Sequence, residues 1–94
     1  MPHPSLKVFD TLPAKERWFC RARLKLAPLE QMADRASGTH ILDVGCGHGV
    51  LAALLLHGYA ERRVVGIDPD ARKIAWANAS LGKDPRAEFR ACTI

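Results

Sequence analysis

Asp43, Gly45, Gly47, Gly49 and Asp68 are the residues of this chain whose types and spacing can do chemistry. The apolar stretch Ile41-Leu42-Asp43-Val44 runs into Gly45-Cys46-Gly47-His48-Gly49, with a glycine at every second position. Glycine has no Cβ and takes positive φ freely, so such a turn lets the backbone come close to a ligand. A leucine-rich segment follows at once, which places the turn at a helix N-terminus, where free N–H groups attract electron-rich atoms. Asp68 ends the next apolar stretch, Arg63-Val64-Val65-Gly66-Ile67-Asp68-Pro69, 23 residues after Gly45. A carboxylate there can accept hydrogen bonds from both vicinal hydroxyls of a ribose and would repel a 2′-phosphate. The dinucleotide fingerprint G-x-G-x-x-G fails, because Val50 stands where its third glycine belongs. The chemistry suggested is the holding of a nucleoside-bearing ligand that is not a dinucleotide.

Plainer readings stand beside these. The glycines can form a strand-to-helix turn with no ligand, although three of them cost stability. Asp68 can serve only as a neighbour of a helix N-cap before Pro69. Both weaken when the two elements are taken together. His48 reads as a variable loop position that touches ligand or solvent, His57 as an ordinary helix residue, and Trp76 as packing. Asn78-Ala79-Ser80 matches a glycosylation sequon, which a cytoplasmic chain would not use.

The elements that must position the site follow from periodicity. Residues 1–13, with Pro2, Pro4 and Pro13 and few apolar anchors, read as a loose start, with Thr11 as the N-cap of a helix. From Ala14 the pattern is helical: Trp18, Ala22, Leu26 and Leu29 recur at steps of three and four, and Arg17, Arg21 and Lys25 share another face. Pro28 ends or kinks this helix near Ala27. A short helix over 29–36, with Leu29, Met32 and Ala36 on one side, stops at Ser37-Gly38. Strands are expected at 40–44 and 63–68, a helix at 50–59, a helix opened by Pro69 and Asp70 and stopped by Gly82, and a third strand over 87–94. The order strand, helix, strand, helix, strand implies parallel pairing by right-handed crossovers. The fold class is α/β, half of a doubly wound sheet, preceded by a helical segment over 1–37.

Length and composition bound the answer. The chain has 94 residues, 48% of them hydrophobic, enough for one small globular domain. No stretch reaches the roughly 18 apolar residues of a membrane span, and Lys7, Asp10, Lys15 and Glu16 break any signal-peptide pattern, so the expected location is cytoplasmic. Cys20, Cys46 and Cys92 form neither a disulfide framework nor a metal-ligand spacing, and no metal is expected. Net charge is +4, much of it in Lys15, Arg17, Arg21, Arg23 and Lys25. That helix reads first as a solvated cationic face covering the ligand side of the fold. With Trp18, Phe19, Leu24 and Leu26 it also suits contact with an acidic lipid or membrane surface. Nucleic acid fits less well, because the charge is modest and no base-reading aromatics are interleaved.

Leu42-Asp43-Val44-Gly45-Cys46-Gly47-His48-Gly49 followed by Val65-Gly66-Ile67-Asp68-Pro69 resembles the first two motifs of class I S-adenosylmethionine-dependent methyltransferases. The resemblance covers about residues 40–94 and implies a Rossmann-like fold. It implies S-adenosylmethionine as cofactor, with Asp43 orienting its amino group. Gly45, Cys46, Gly47 and Gly49 would form the loop, and Asp68, followed by Pro69, would hold the ribose. The polar position near the adenine falls on Thr93, which is uncharged. The reaction implied is methyl transfer to an acceptor that the sequence does not identify, and no catalytic residue can be named. In that family the first strand is central and the sheet continues further. A chain of this length would leave one apolar edge of the first strand open to self-association. The expectation is therefore a partial domain over 38–94, truncated at the C-terminus. Two other readings remain: a fragment of an NAD-dependent oxidoreductase, which Val50 disfavours, and a non-catalytic interaction module.

Overall fold

The computed structural model describes residues 3–93. Three parallel strands lie in the order β1 (His40–Val44), β2 (Arg63–Asp68), β3 (Ala87–Ala91). Val64, Val65 and Ile67 in β2 suit a pleated surface packed on both faces. The register pairs Asp43 with Gly66 and Asp68 with Ala91, so both carboxylates come out at the carboxyl ends of neighbouring strands. The α/β Rossmann-like architecture is as the sequence implies. Among the described residues β1 has no strand on its outer side, and Leu42 and Val44, which share one face of the sheet, are 60% and 54% exposed.

Two helices cross between strands. The first in chain order after β1 is α3 (Val50–Leu56), buried almost all round, as a helix apolar on every face must be. It follows α1 (Ala14–Leu26) and α2 (Leu29–Arg35). The second crossover is α4 (Ala71–Leu81), which buries Ile74, Ala77 and Leu81. The carboxylate of Asp70 caps α4 by accepting from the N–H groups of Arg72 and Lys73. Gly66 marks the tightest packing of the sheet: a Cβ there would sit 2.7 Å from Phe89 Cδ1 and 2.8 Å from Cys46 Sγ.

Several local expectations are corrected. The N-terminal segment is not loose. Pro4–Phe9 forms a 3-10 helix, and Leu6, Phe9 and Leu12 are buried in the common core. Thr11 does not cap α1; Pro13 occupies the N-cap with no side-chain hydrogen bond. The face of α1 that packs inward carries Cys20 with Leu24 and Ala27, whereas Trp18 is 69% and Leu26 87% exposed. In α2, Leu29 and Ala33 are buried and Met32 is exposed.

The helix expected over 50–59 stops at Leu56, with Gly58 in the left-handed region just beyond it and a pair of arginines on its last carbonyls. Arg62, itself buried, donates to the carbonyls of Leu55 (3.0 Å), Ala36 (2.9 Å) and Ala33 (3.4 Å), and its guanidinium lies 3.7 Å from the Tyr59 ring centroid. Arg86 donates to the carbonyls of Leu56 (3.3 Å) and Tyr59 (3.1 Å). These cations satisfy carbonyls that a helix end leaves unpaired, and they complement its negative pole. The strand expected over 87–94 ends at Ala91, and Ile94 lies outside the described residues.

Candidate cofactor site at the strand ends

The glycine turn is built as its spacing requires. Gly45, Gly47 and Gly49 have φ of +77°, +55° and +91°, in the left-handed region that favours glycine. Their surroundings divide them. A Cβ on Gly45 would meet nothing within 4 Å, so this glycine borders open space over the strand ends. A Cβ on Gly49 would meet Leu81 Cδ1 at 3.2 Å and the Phe89 ring at 3.4 Å. Gly49 therefore lets the turn pack onto α4 and β3. Gly47 lies between these extremes, near Lys73.

The turn is tied to β2 at two levels. The N–H groups of Gly45 and Cys46 both donate to the Ile67 carbonyl, at 2.8 and 3.0 Å. The Gly47 N–H donates to Asp68 Oδ2 at 3.0 Å, and Asp68 Oδ1 accepts from the Asp70 N–H at 2.8 Å. A carboxylate offers about four lone-pair sites, so two remain for incoming hydroxyls. Asp68 is half-buried and Pro69, which follows it, is exposed. The Cys92 N–H donates to the Asp68 carbonyl at 3.0 Å, which brings the segment with the exposed Thr93 to the same end of the sheet.

Asp43 is the least satisfied group of the site. Its Oδ2 is buried with no hydrogen-bond partner. Burial raises its pKa above the ordinary carboxylate range, the Arg23 guanidinium of α1 works against this, and Asp68 raises it further. Such an oxygen calls for a cation with N–H donors. Cys46 is buried, and its thiol is pushed up to about 12, first by burial and then by the charges of Asp43 and Asp68. It remains a protonated thiol that packs beneath the turn and is no nucleophile.

His48 departs from expectation. It is 4% exposed and faces neither ligand space nor solvent. Its Nε2–H donates to Glu16 Oε1 on α1 at 2.9 Å, and Phe19 lies against its ring at a centroid distance of 5.1 Å. Lys73 Nζ stands 5.5 Å from the Phe19 ring centroid. The N-terminal helix is thus fastened to the glycine turn. The sequence gives one local sign of this, the polar His48 between two glycines, and no sign of its partner.

Asp43, Gly45, Gly47 and Asp68 come together at the carboxyl ends of β1 and β2, with Cys46 and Gly49 packed inward and Pro69 and Thr93 exposed at the same end of the sheet. A buried acceptor without a partner, an open space beside a glycine and an acid with unused lone pairs fit a nucleoside that carries an amino group. The comparisons with known proteins agree. Residues 41–94 match the family model of the methyltransferase domain, and the chain belongs to that S-adenosylmethionine-dependent family. It is 39% identical over 75 residues to the human mitochondrial ubiquinone biosynthesis O-methyltransferase, a match covering 76% of this chain and 20% of that protein. It is 44% identical over 48 residues to ribosomal RNA small subunit methyltransferase C of Pseudomonas putida, covering 51% of this chain and 14% of that one. Among solved structures, the geranyl diphosphate C-methyltransferase of Streptomyces coelicolor, in complex with S-adenosyl-L-homocysteine, aligns with a TM-score of 0.65 at 20% identity, covering 89% of this chain and 35% of that one. The chain spans a fifth or less of the length of these curated relatives.

Proposed function

We propose that this chain is the cofactor-holding part of an S-adenosylmethionine-dependent methyltransferase that transfers a methyl group to an acceptor not yet identified. The observation that carries the reading is the buried, unpartnered Oδ2 of Asp43 beside the half-satisfied carboxylate of Asp68, on adjacent strand ends under an open glycine turn. Asp43 would pair with the amino group of the cofactor and Asp68 with its ribose hydroxyls. The backbone of the turn would lie close to the ligand at Gly45. Bound there, the cofactor supplies a methyl group on a sulfonium. The residues of this chain contribute binding and orientation, which convert the transfer into an effectively unimolecular step.

Isothermal titration of the chain with S-adenosylhomocysteine and, separately, with NADH tests this. Saturable binding of the first, with weaker or no binding of the second, is the expected result. The reverse order would sink it.

Two surfaces support further readings of the partners. A groove of about 900 Å³ between α1 and α2 is lined by Trp18, Leu24 and Leu26 with Arg21 and Lys25, and by no residue of the glycine turn. Its mixture of exposed apolar groups and cations suits an anionic lipid surface. The open side of β1, with Leu42 and Val44 exposed, suits pairing with a further strand, in this chain's own copies or in another polypeptide.

A further inference from the structure

Glu16 and His48 stand 32 residues apart in sequence and meet at 2.9 Å, where α1 crosses the glycine turn. His48 lies between Gly47 and Gly49, so a bond to its imidazole acts on the conformation of the turn itself. The carboxylate of Glu16 can only accept, which fixes a hydrogen on Nε2 and leaves Nδ1 as the second ring nitrogen, buried and without a partner. Phe19, one turn beyond Glu16, closes the other side of the ring. On the opposite flank the Gly47 N–H is held by Asp68 Oδ2. The segment Gly47-His48-Gly49 is therefore pinned from two elements at once, α1 through a side chain and β2 through a carboxylate.

We infer that Glu16 and His48 are a positioning pair that presets the cofactor turn and couples its affinity to the docking of the N-terminal helix. The inference rests on the cofactor reading given above. Three glycines at alternate positions make a turn with many accessible conformations, and ordering it on binding would reduce affinity. A turn already ordered by the clasp binds without that loss. Linkage makes the effect reciprocal: what α1 does for the ligand, the ligand does for α1.

The test uses the full chain and S-adenosylhomocysteine, with calorimetry for the dissociation constant and amide hydrogen exchange for order. Glu16→Ala and His48→Ala should each weaken binding about tenfold, the scale of one charge-assisted hydrogen bond. The double variant should lose about as much as either single one, because both remove the same bond. Glu16→Gln, whose amide oxygen still accepts from Nε2–H, should recover most of the loss. Without ligand, Glu16→Ala should speed exchange at the amides of Gly45 to Gly49, and ligand should slow exchange across α1 in the unaltered chain but not in His48→Ala. Arg62→Leu, which strips the far ends of α2 and α3 of a donor without touching α1 or the turn, should lower thermal stability and leave affinity unchanged. If Glu16→Ala and His48→Ala bind within about twofold of the unaltered chain, or if Arg62→Leu weakens binding as much as they do, the pair has no positioning role. An unaltered chain that does not bind the ligand at all would refute the cofactor reading, and the coupling with it.

Discussion

The backbone N–H of Gly47 donates to the carboxylate of Asp68 at 3.0 Å, so the glycine turn and the acid of the second strand form one unit across 21 residues of sequence. The acid has two duties. It braces the turn, and in the proposed function its remaining lone pairs would hold a ribose.

Separating those duties is the first prediction. Asp68→Asn retains a carbonyl acceptor but replaces the other oxygen with a donor, which faces a backbone N–H or a hydroxyl. Affinity for S-adenosylhomocysteine should fall by at least tenfold, as expected when one charge-assisted bond is replaced by a mismatch. Far-ultraviolet circular dichroism should be unchanged. Calorimetric titration of the folded variant decides it, and affinity equal to that of the unaltered chain would remove Asp68 from the site.

Asp43 should trade stability against binding. Its pKa is raised in the folded chain, chiefly by burial. The folded state therefore holds the proton more tightly than the unfolded one, and the contribution of Asp43 to stability declines as pH rises from the ordinary carboxylate pKa through the raised one. Where it is ionised, the buried group is a net cost that the ligand's amino group would offset. Asp43→Asn should raise the melting temperature of the ligand-free chain at pH 7 and abolish most S-adenosylhomocysteine binding. Binding by the unaltered chain should fall off on acidification at a higher pH than an ordinary carboxylate would give. A variant that loses both stability and binding would contradict this assignment.

Gly66→Ala is expected to destabilise without touching the ligand. The added methyl would lie within 3 Å of Phe89 and Cys46, at a point where α3, the turn and β3 converge on β2. Overpacking of this kind costs roughly 1–3 kcal/mol. Chemical denaturation should show a lower midpoint with an unchanged slope.

Arg62→Leu should also lower stability, by about 2 kcal/mol or more, since it strips three carbonyls at the ends of α2 and α3 of a charged donor. Arg62→Lys should recover little, because a single ammonium cannot reproduce the fork that reaches Ala36 and Leu55 together. Urea titration of the two variants side by side gives the comparison.

What was legible in the sequence is what is local. Asp43, the alternating glycines and Asp68 declare themselves because backbone sterics and strand ends impose their spacing within a few residues. Their division of labour was not legible. Gly45 and Gly49 have the same sequence signature, yet one borders empty space and the other lies against Leu81 and Phe89. The orientation of α1 was misread because Trp18, Ala22 and Leu26 make as good an apolar stripe as Cys20, Leu24 and Ala27. Only tertiary packing, including the unforeseen docking of Phe9 and Leu12, chooses between the stripes. Arg62 and Arg86 gave no sign of their roles, because their partners are main-chain carbonyls, which every residue carries. Glu16 gave no sign at all, since its partner is on another element.

The short length of α3 has a consequence for how the site comes into being. Seven residues are too few for a helix to persist alone in water, where roughly 12–15 are marginal. The glycine turn sits on one end of α3, while Arg62 and Arg86 grip the other, and those arginines can act only once α2, β2 and β3 are in place. The arrangement of the glycine turn therefore has no existence as a local motif. It depends on cooperative assembly, and heating should erase the capacity to bind in the same transition that melts the sheet.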